Sequence, residues 1–220
     1  MHLPTFKPLY TLVLLIAFVI LQPACQRQES NKPEGSQLPA QTEERRDVPL
    51  YNQNAYETVL RELQADPDNI QALYHLGDLY FRDGRYEEAV ENFRKVVAAD
   101  PSRAYVFFQM GTALNRLHRY EEALDAFKHA LDNNLKTPAI AYNNMGITYG
   151  NLGRFQEEIG ALKQAIASRP RYAAARYNLG VTLIKVGDIE GAREQYQALN
   201  EFDVTIAEAL LKEINKAAGG

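Results

Sequence analysis

Four glycines set the period of this chain: Gly77, Gly111, Gly146 and Gly180 lie 34, 35 and 34 residues apart. Other residues keep the same phase. Tyr86, Tyr120, Phe155 and Ile189 each follow their glycine by nine residues, and Ala89, Ala123 and Ala192 come three later, with Glu158 as the exception. Phe93, Phe127, Leu162 and Tyr196 close the pattern, and Pro67, Pro101 and Pro170 punctuate three units. A unit of this length holds two helices that cannot bury an apolar face alone, so successive units must stack on one another. The expected class is therefore all-α, an array of antiparallel helix pairs.

Physical reasons place the landmarks inside each pair. Gly77 and its equivalents belong where the two helix backbones approach most closely, with Ala89 and its equivalents opposite, so that both side chains are small. Tyr80, Leu114, Tyr149 and Leu183, three residues beyond each glycine, belong to the buried face. Gly84, Gly153 and Gly187 suit the left-handed end of the first helix, a place that His118 takes in the second unit. Pro101 and Pro170 stop the second helix and can enter the first turn of the next. The units run about 70–103, 104–138, 139–172 and 173–203. Residues 51–67 read as a half-unit, a second helix with no first helix before it. Residues 204–217 read as a capping helix, with Asp203 or Thr205 as N-cap and Ile206, Ala209, Leu210 and Ile214 as its apolar face.

Leu-Gly, then Ala, then an aromatic, then Pro at this spacing resembles the tetratricopeptide-repeat family over roughly residues 52–217. The resemblance implies a right-handed superhelix whose first helices line a concave groove that holds another polypeptide. The groove positions it implies are Tyr74, Phe108, Asn143 and Tyr177 in one row, His75, Gln109, Asn144 and Asn178 in the next, and Asp78, Thr112, Ile147 and Val181 beyond. Phe81, Tyr105, Asn115 and Arg116 lie nearby. Family members that grip the acidic tails of heat-shock chaperones use Lys, Arg and Asn there. This chain has Tyr74, Asp78, Gln109, Ile140 and Asn144 at those places, so that clamp is absent.

Before the repeats, an apolar run from Leu9 to Leu21 follows a start carrying Lys7 and no acid. At about 13 residues it falls short of the 18 or more needed to span a bilayer, and it reads as a secretory signal over 1–24. Leu21-Gln22-Pro23-Ala24-Cys25 resembles a bacterial lipobox, which implies a mature N-terminus at Cys25 bearing acyl chains. Leu21 stands four places before the cysteine, where the pattern prefers three, and Gln22 fills the usual slot. Cleavage without lipid, a signal anchor or a buried helix are the alternatives. By resemblance, Gln26 after the cysteine favours the outer membrane. Residues 25–50 are polar and without aromatics, the composition of a disordered tether, with an r.m.s. span of roughly 25–30 Å.

Catalytic signals are weak. The doublets Glu87-Glu88, Glu121-Glu122 and Glu157-Glu158 read as acids complementing the dipole in the first turn of each second helix. His75 and Asp78 could share a metal, but two ligands do not make a site. With 24 basic and 28 acidic residues the net charge is −4, which disfavours nucleic acid. The expected function is that of an envelope-tethered scaffold, not an enzyme. It needs no cofactor and binds a protein or peptide partner through its groove. By resemblance to envelope lipoproteins with such repeats, it serves pilus, secretin or outer-membrane assembly. A self-associating structural protein is the alternative, and a hydrolase using His75 or Asp78 a distant one.

Overall fold

A computed structural model describes residues 50–219. The expected signal, Cys25 and the expected tether before residue 50 lie outside the described residues. Ten helices and no strand are present among the described residues: α1 (Leu50–Ala65), α2 (Ile70–Arg82), α3 (Tyr86–Ala99), α4 (Ala104–Arg116), α5 (Tyr120–Asp132), α6 (Pro138–Asn151), α7 (Phe155–Ser168), α8 (Ala173–Lys185), α9 (Ile189–Asn200) and α10 (Val204–Ala218). The chain is an all-α solenoid in which α2–α3, α4–α5, α6–α7 and α8–α9 pair and each pair packs on the next. None of these helices is long and apolar enough to cross a membrane.

Local chemistry explains the boundaries. Asn69 caps α2 by accepting from the amides of Gln71 and Ala72, Asp203 caps α10 by accepting from Ile206 N, and Pro138 occupies the first turn of α6. At the turn inside the first pair Gly84 has φ +77°, and His118 adopts φ +59° at the same register in the second pair. A side chain in that left-handed region costs about 1–2 kcal/mol. His118 recovers part of it through a 2.6 Å contact between its Nδ1 and the Tyr120 hydroxyl.

The glycines make room for something other than the facing alanines. A Cβ on Gly77 would lie 2.7 Å from the ring of Phe93, one on Gly111 would lie 2.8 Å from the ring of Phe127, and one on Gly146 would lie 2.8 Å from Leu162. Each glycine thus seats the large residue one turn beyond Ala89 or its equivalent. Phe93, Phe127 and Leu162 are fully buried there, each contributing about 1.5–3 kcal/mol by burial. The fourth unit breaks the rule. Over Gly180 sits Leu210 of α10, which a Cβ would meet at 2.6 Å, while Tyr196 at the expected register is only half-buried. The cap is therefore a core element, packed on both α8 and α9. At the other end α1 docks as a lone second helix: the Tyr56 ring lies tilted 5.5 Å from that of Tyr80, and its hydroxyl donates to Asp83 Oδ2 at 2.9 Å.

The third acidic doublet also departs from expectation. Glu88, Glu122 and Glu157 share a register and pair with Arg85, Arg119 and Arg154 at the turns. Glu158 is one residue out of phase, at the place of Ala89 and Ala123, and only 5% exposed. It is a core residue rather than a solvated partner of the helix dipole. Gly150 gives it the space: a Cβ there would lie 2.7 Å from the Glu158 carboxylate. Thr182 Oγ1 on α8 stands 2.7 Å from Glu158 Oε1, while Oε2 is buried without a hydrogen-bond partner.

Candidate partner-binding groove

The first helices of the pairs lie against one another: α4 touches α6, and α6 touches α8. Side chains complete the contact. Gln109 Nε2 on α4 donates to Asp78 Oδ1 on α2 at 2.9 Å, and Asn178 Nδ2 on α8 donates to Asn143 Oδ1 on α6 at 3.1 Å. In a superhelical stack the helices that meet along one side form the inner side of its curve, and the residues they present there line the candidate groove.

The expected groove residues divide into three groups. Gln109 and Asn143 are buried and committed to the neighbouring helix, so they build the floor. Asp78 belongs with them, since its second oxygen takes Arg82 at 2.8 Å. Tyr74, Phe81, Phe108, Asn115, Asn144, Tyr177 and Asn178 are half-buried. Tyr74 leans on Phe93, Phe108 on Phe127 and Phe81 on Tyr86. Burial, and then the charge of Asp78, push the Tyr74 hydroxyl above the ordinary tyrosine range, so it stays a neutral donor. The third group is exposed: His75, Tyr105 and Arg116, joined by Ile147. Tyr105 is 54% exposed and lies stacked 6.1 Å from Phe108. His75 and Asp78 do not converge on a common point; His75 Nε2 lies 2.8 Å from Gln71 Nε2, and Asp78 turns toward Arg82 and Gln109.

Two groove features go beyond the expected rows. The hydrogen bonds between first helices pair residues of different rows, so nothing in a row marks which amide turns inward. Arg82, Arg116, Asn151 and Lys185 form a further row at the ends of the first helices, all exposed. Its signal is the same 34, 35, 34 spacing as the glycines. Between neighbouring pairs, Arg94 on α3 reaches Glu122 at 2.6 Å, and Arg154, the residue before α7, reaches Glu121 at 3.3 Å. These exposed inter-pair bridges are worth about 0–1 kcal/mol each.

Known proteins agree with this architecture. Family models described as tetratricopeptide repeat match residues 74–136, 102–171 and 143–202. No curated protein matches the chain. Among solved structures, that of PilW, described as a widely conserved type IV pilus biogenesis factor, is 27% identical with a TM-score of 0.64, covering 76% of this chain and 78% of that one. The crystal structure of MamA is 25% identical with a TM-score of 0.63, covering 74% of this chain and 90% of that one. PilF of Pseudomonas aeruginosa, 19% identical with a TM-score of 0.66 over 77% of this chain and 78% of its own, shares the fold. The repeat period, the paired helices seated on their glycines and these matches make the chain a member of the tetratricopeptide-repeat family.

Proposed function

We propose that this chain is a cell-envelope scaffold, hung from a membrane by a lipid on Cys25, that holds a polypeptide partner in the groove of its first helices. The observation that carries the reading is the aromatic patch of Tyr74, Tyr105 and Phe108. It sits on α2 and α4, two helices already fixed to one another by Asp78–Gln109, and Asn143–Asn178 fixes the next two in the same way. An exposed aromatic held by stacking on a half-buried one loses little conformational freedom on binding, which favours it as an anchor. The likeness to PilW, a pilus biogenesis factor, supports a role in assembling an envelope complex, with the outer membrane as the favoured site.

A photo-crosslinking residue placed at Tyr105 tests the groove in living cells. Adducts with another polypeptide are expected from position 105 and not from the same residue placed at Lys128 on α5. Adducts formed equally from both positions would defeat the groove reading, and adducts of twice the chain mass would identify a second copy as the partner. The anchor is tested separately. Mass spectrometry of the mature N-terminus is expected to show an acylated Cys25, and Cys25→Ala is expected to move the protein to the soluble fraction. A mature chain beginning at Gln26, or an intact Met1, would refute lipidation.

A further inference from the structure

The charges of this solenoid are sorted by helix. On the first helices α2, α4, α6 and α8 the one carboxylate is Asp78, against four cations, Arg82, Arg116, Arg176 and Lys185. The second helices are acidic; α5 alone sets Glu121, Glu122, Asp125 and Asp132 against Lys128. Asp78 is itself neutralised, taken by Arg82 at 2.8 Å and by Gln109. Arg176 turns aside to Pro170 O and Gln195. Arg116 has no ion pair among the described residues, and Lys185 meets only the Phe155 ring, at 5.8 Å. A chain of net charge −4 thus has first helices that, among the described residues, carry no free carboxylate and hold two cations without an ion pair.

Register puts those cations on the groove face that carries the apolar patch, Arg116 at the far end of α4 from Tyr105 and Lys185 at the end of α8. Arg116 and Lys185 stand four residues after Thr112 and Val181, hence on the same helix face. The Asp78–Arg82 bridge shows that face continuing to the end of α2. Arg116 and Lys185 also complement the negative ends of their own helix dipoles, but that role needs no alignment from one unit to the next.

We propose that the partner segment is an extended peptide combining apolar or aromatic side chains, which rest on Tyr74, Tyr105 and Phe108, with acidic side chains that meet Arg116 and Lys185. This rests on the groove reading above and adds the chemistry of the guest. A guanidinium facing a guest carboxylate makes a charge-assisted hydrogen bond, while a basic guest would meet like charge and be disfavoured. The convex acids then serve to repel the wrong docking mode rather than to bind.

A random-peptide library displayed on phage, panned against the full-length chain in detergent micelles, provides the test. The expected outcome is enrichment of peptides carrying both apolar and acidic residues. Their affinity should fall about tenfold or more in Arg116→Glu/Lys185→Glu, hold in the charge-matched Lys95→Glu/Lys163→Glu on the second helices, and weaken as salt rises. Circular dichroism of both pairs checks that the fold is kept, and Arg116→Gln/Lys185→Gln should show a smaller loss in the same direction. Enriched peptides without acids, lost on Tyr105→Ala but indifferent to Arg116→Glu/Lys185→Glu, would overturn the acidic guest and leave the groove standing. Peptides that survive Tyr105→Ala and both charge reversals, or an absence of enrichment, would overturn the groove reading together with the proposal.

Discussion

Leu210→Ala is expected to destabilise the repeat domain by about 2–5 kcal/mol, whereas Tyr196→Ala, at the register where the other units carry Phe93, Phe127 and Leu162, should cost clearly less. Leu210 is fully buried and fills the seat over Gly180; Tyr196 is only half-buried beside it. Truncating Leu210 leaves a cavity bounded by α8 and α10, and the rigid α8 backbone at Gly180 cannot move in to close it. The effect should be local in origin, because a solenoid's stability is the sum of units and the interfaces between neighbours. Urea unfolding of both variants, followed by helix signal and by hydrogen exchange, reads this directly. Amides of α8 to α10 should lose protection first in Leu210→Ala while those of α3 to α5 hold. A larger loss in Tyr196→Ala than in Leu210→Ala would contradict the packing described here.

The contrast between these two positions shows where the sequence stops informing. Small residues at Gly77, Gly111, Gly146 and Gly180 and large ones 16 residues later announce both the helix pairs and their period. That is because the close approach of two helices tolerates little variation on the small side. The final unit has no following pair to cover it. Its seat is filled by whichever apolar side chain the cap brings, and Leu210 lies outside the repeat, where phase has no authority. The groove divides in the same way. Periodicity places Tyr105, Gln109 and Asn143 on one face, but each neighbour's hydrogen-bonding capacity decides which side chains turn inward. Asp78 draws in Gln109, and Asn178 donates to Asn143. Tyr105 finds only a stacking partner and stays exposed. Arg116 and Lys185 gain meaning only when Asp78 is seen to be already spent on Arg82.

Glu158 and Gly150 make the sharpest case, since each is anomalous alone and together they are an exchange. At the Gly150 register the other units carry Phe81, Asn115 and Ile184, and at the Glu158 register they carry Ala89, Ala123 and Ala192. Bulk has moved from the first helix to the second, with Gly150 leaving the room that the Glu158 side chain fills. The exchange is imperfect in energy. Glu158 Oε2 has no partner, and Thr182 Oγ1 lies within reach of two acceptors, Glu158 Oε1 at 2.7 Å and Asn178 O at 2.9 Å. A hydroxyl has one proton to give. Gly150→Ile alone should therefore cost about 1–3 kcal/mol by forcing the carboxylate off Thr182. Glu158→Ala alone should leave a void opposite Gly150, offset in part by removing a buried polar atom with no partner, a defect worth about 1–3 kcal/mol. The double variant Gly150→Ile/Glu158→Ala restores the arrangement of the next unit and frees Thr182 to donate to Asn178 alone. It should be at least as stable as the natural chain, with a coupling between the two sites of about 1–3 kcal/mol. Additive losses in a double-mutant cycle of urea midpoints would mean that Gly150 and Glu158 do not share one space.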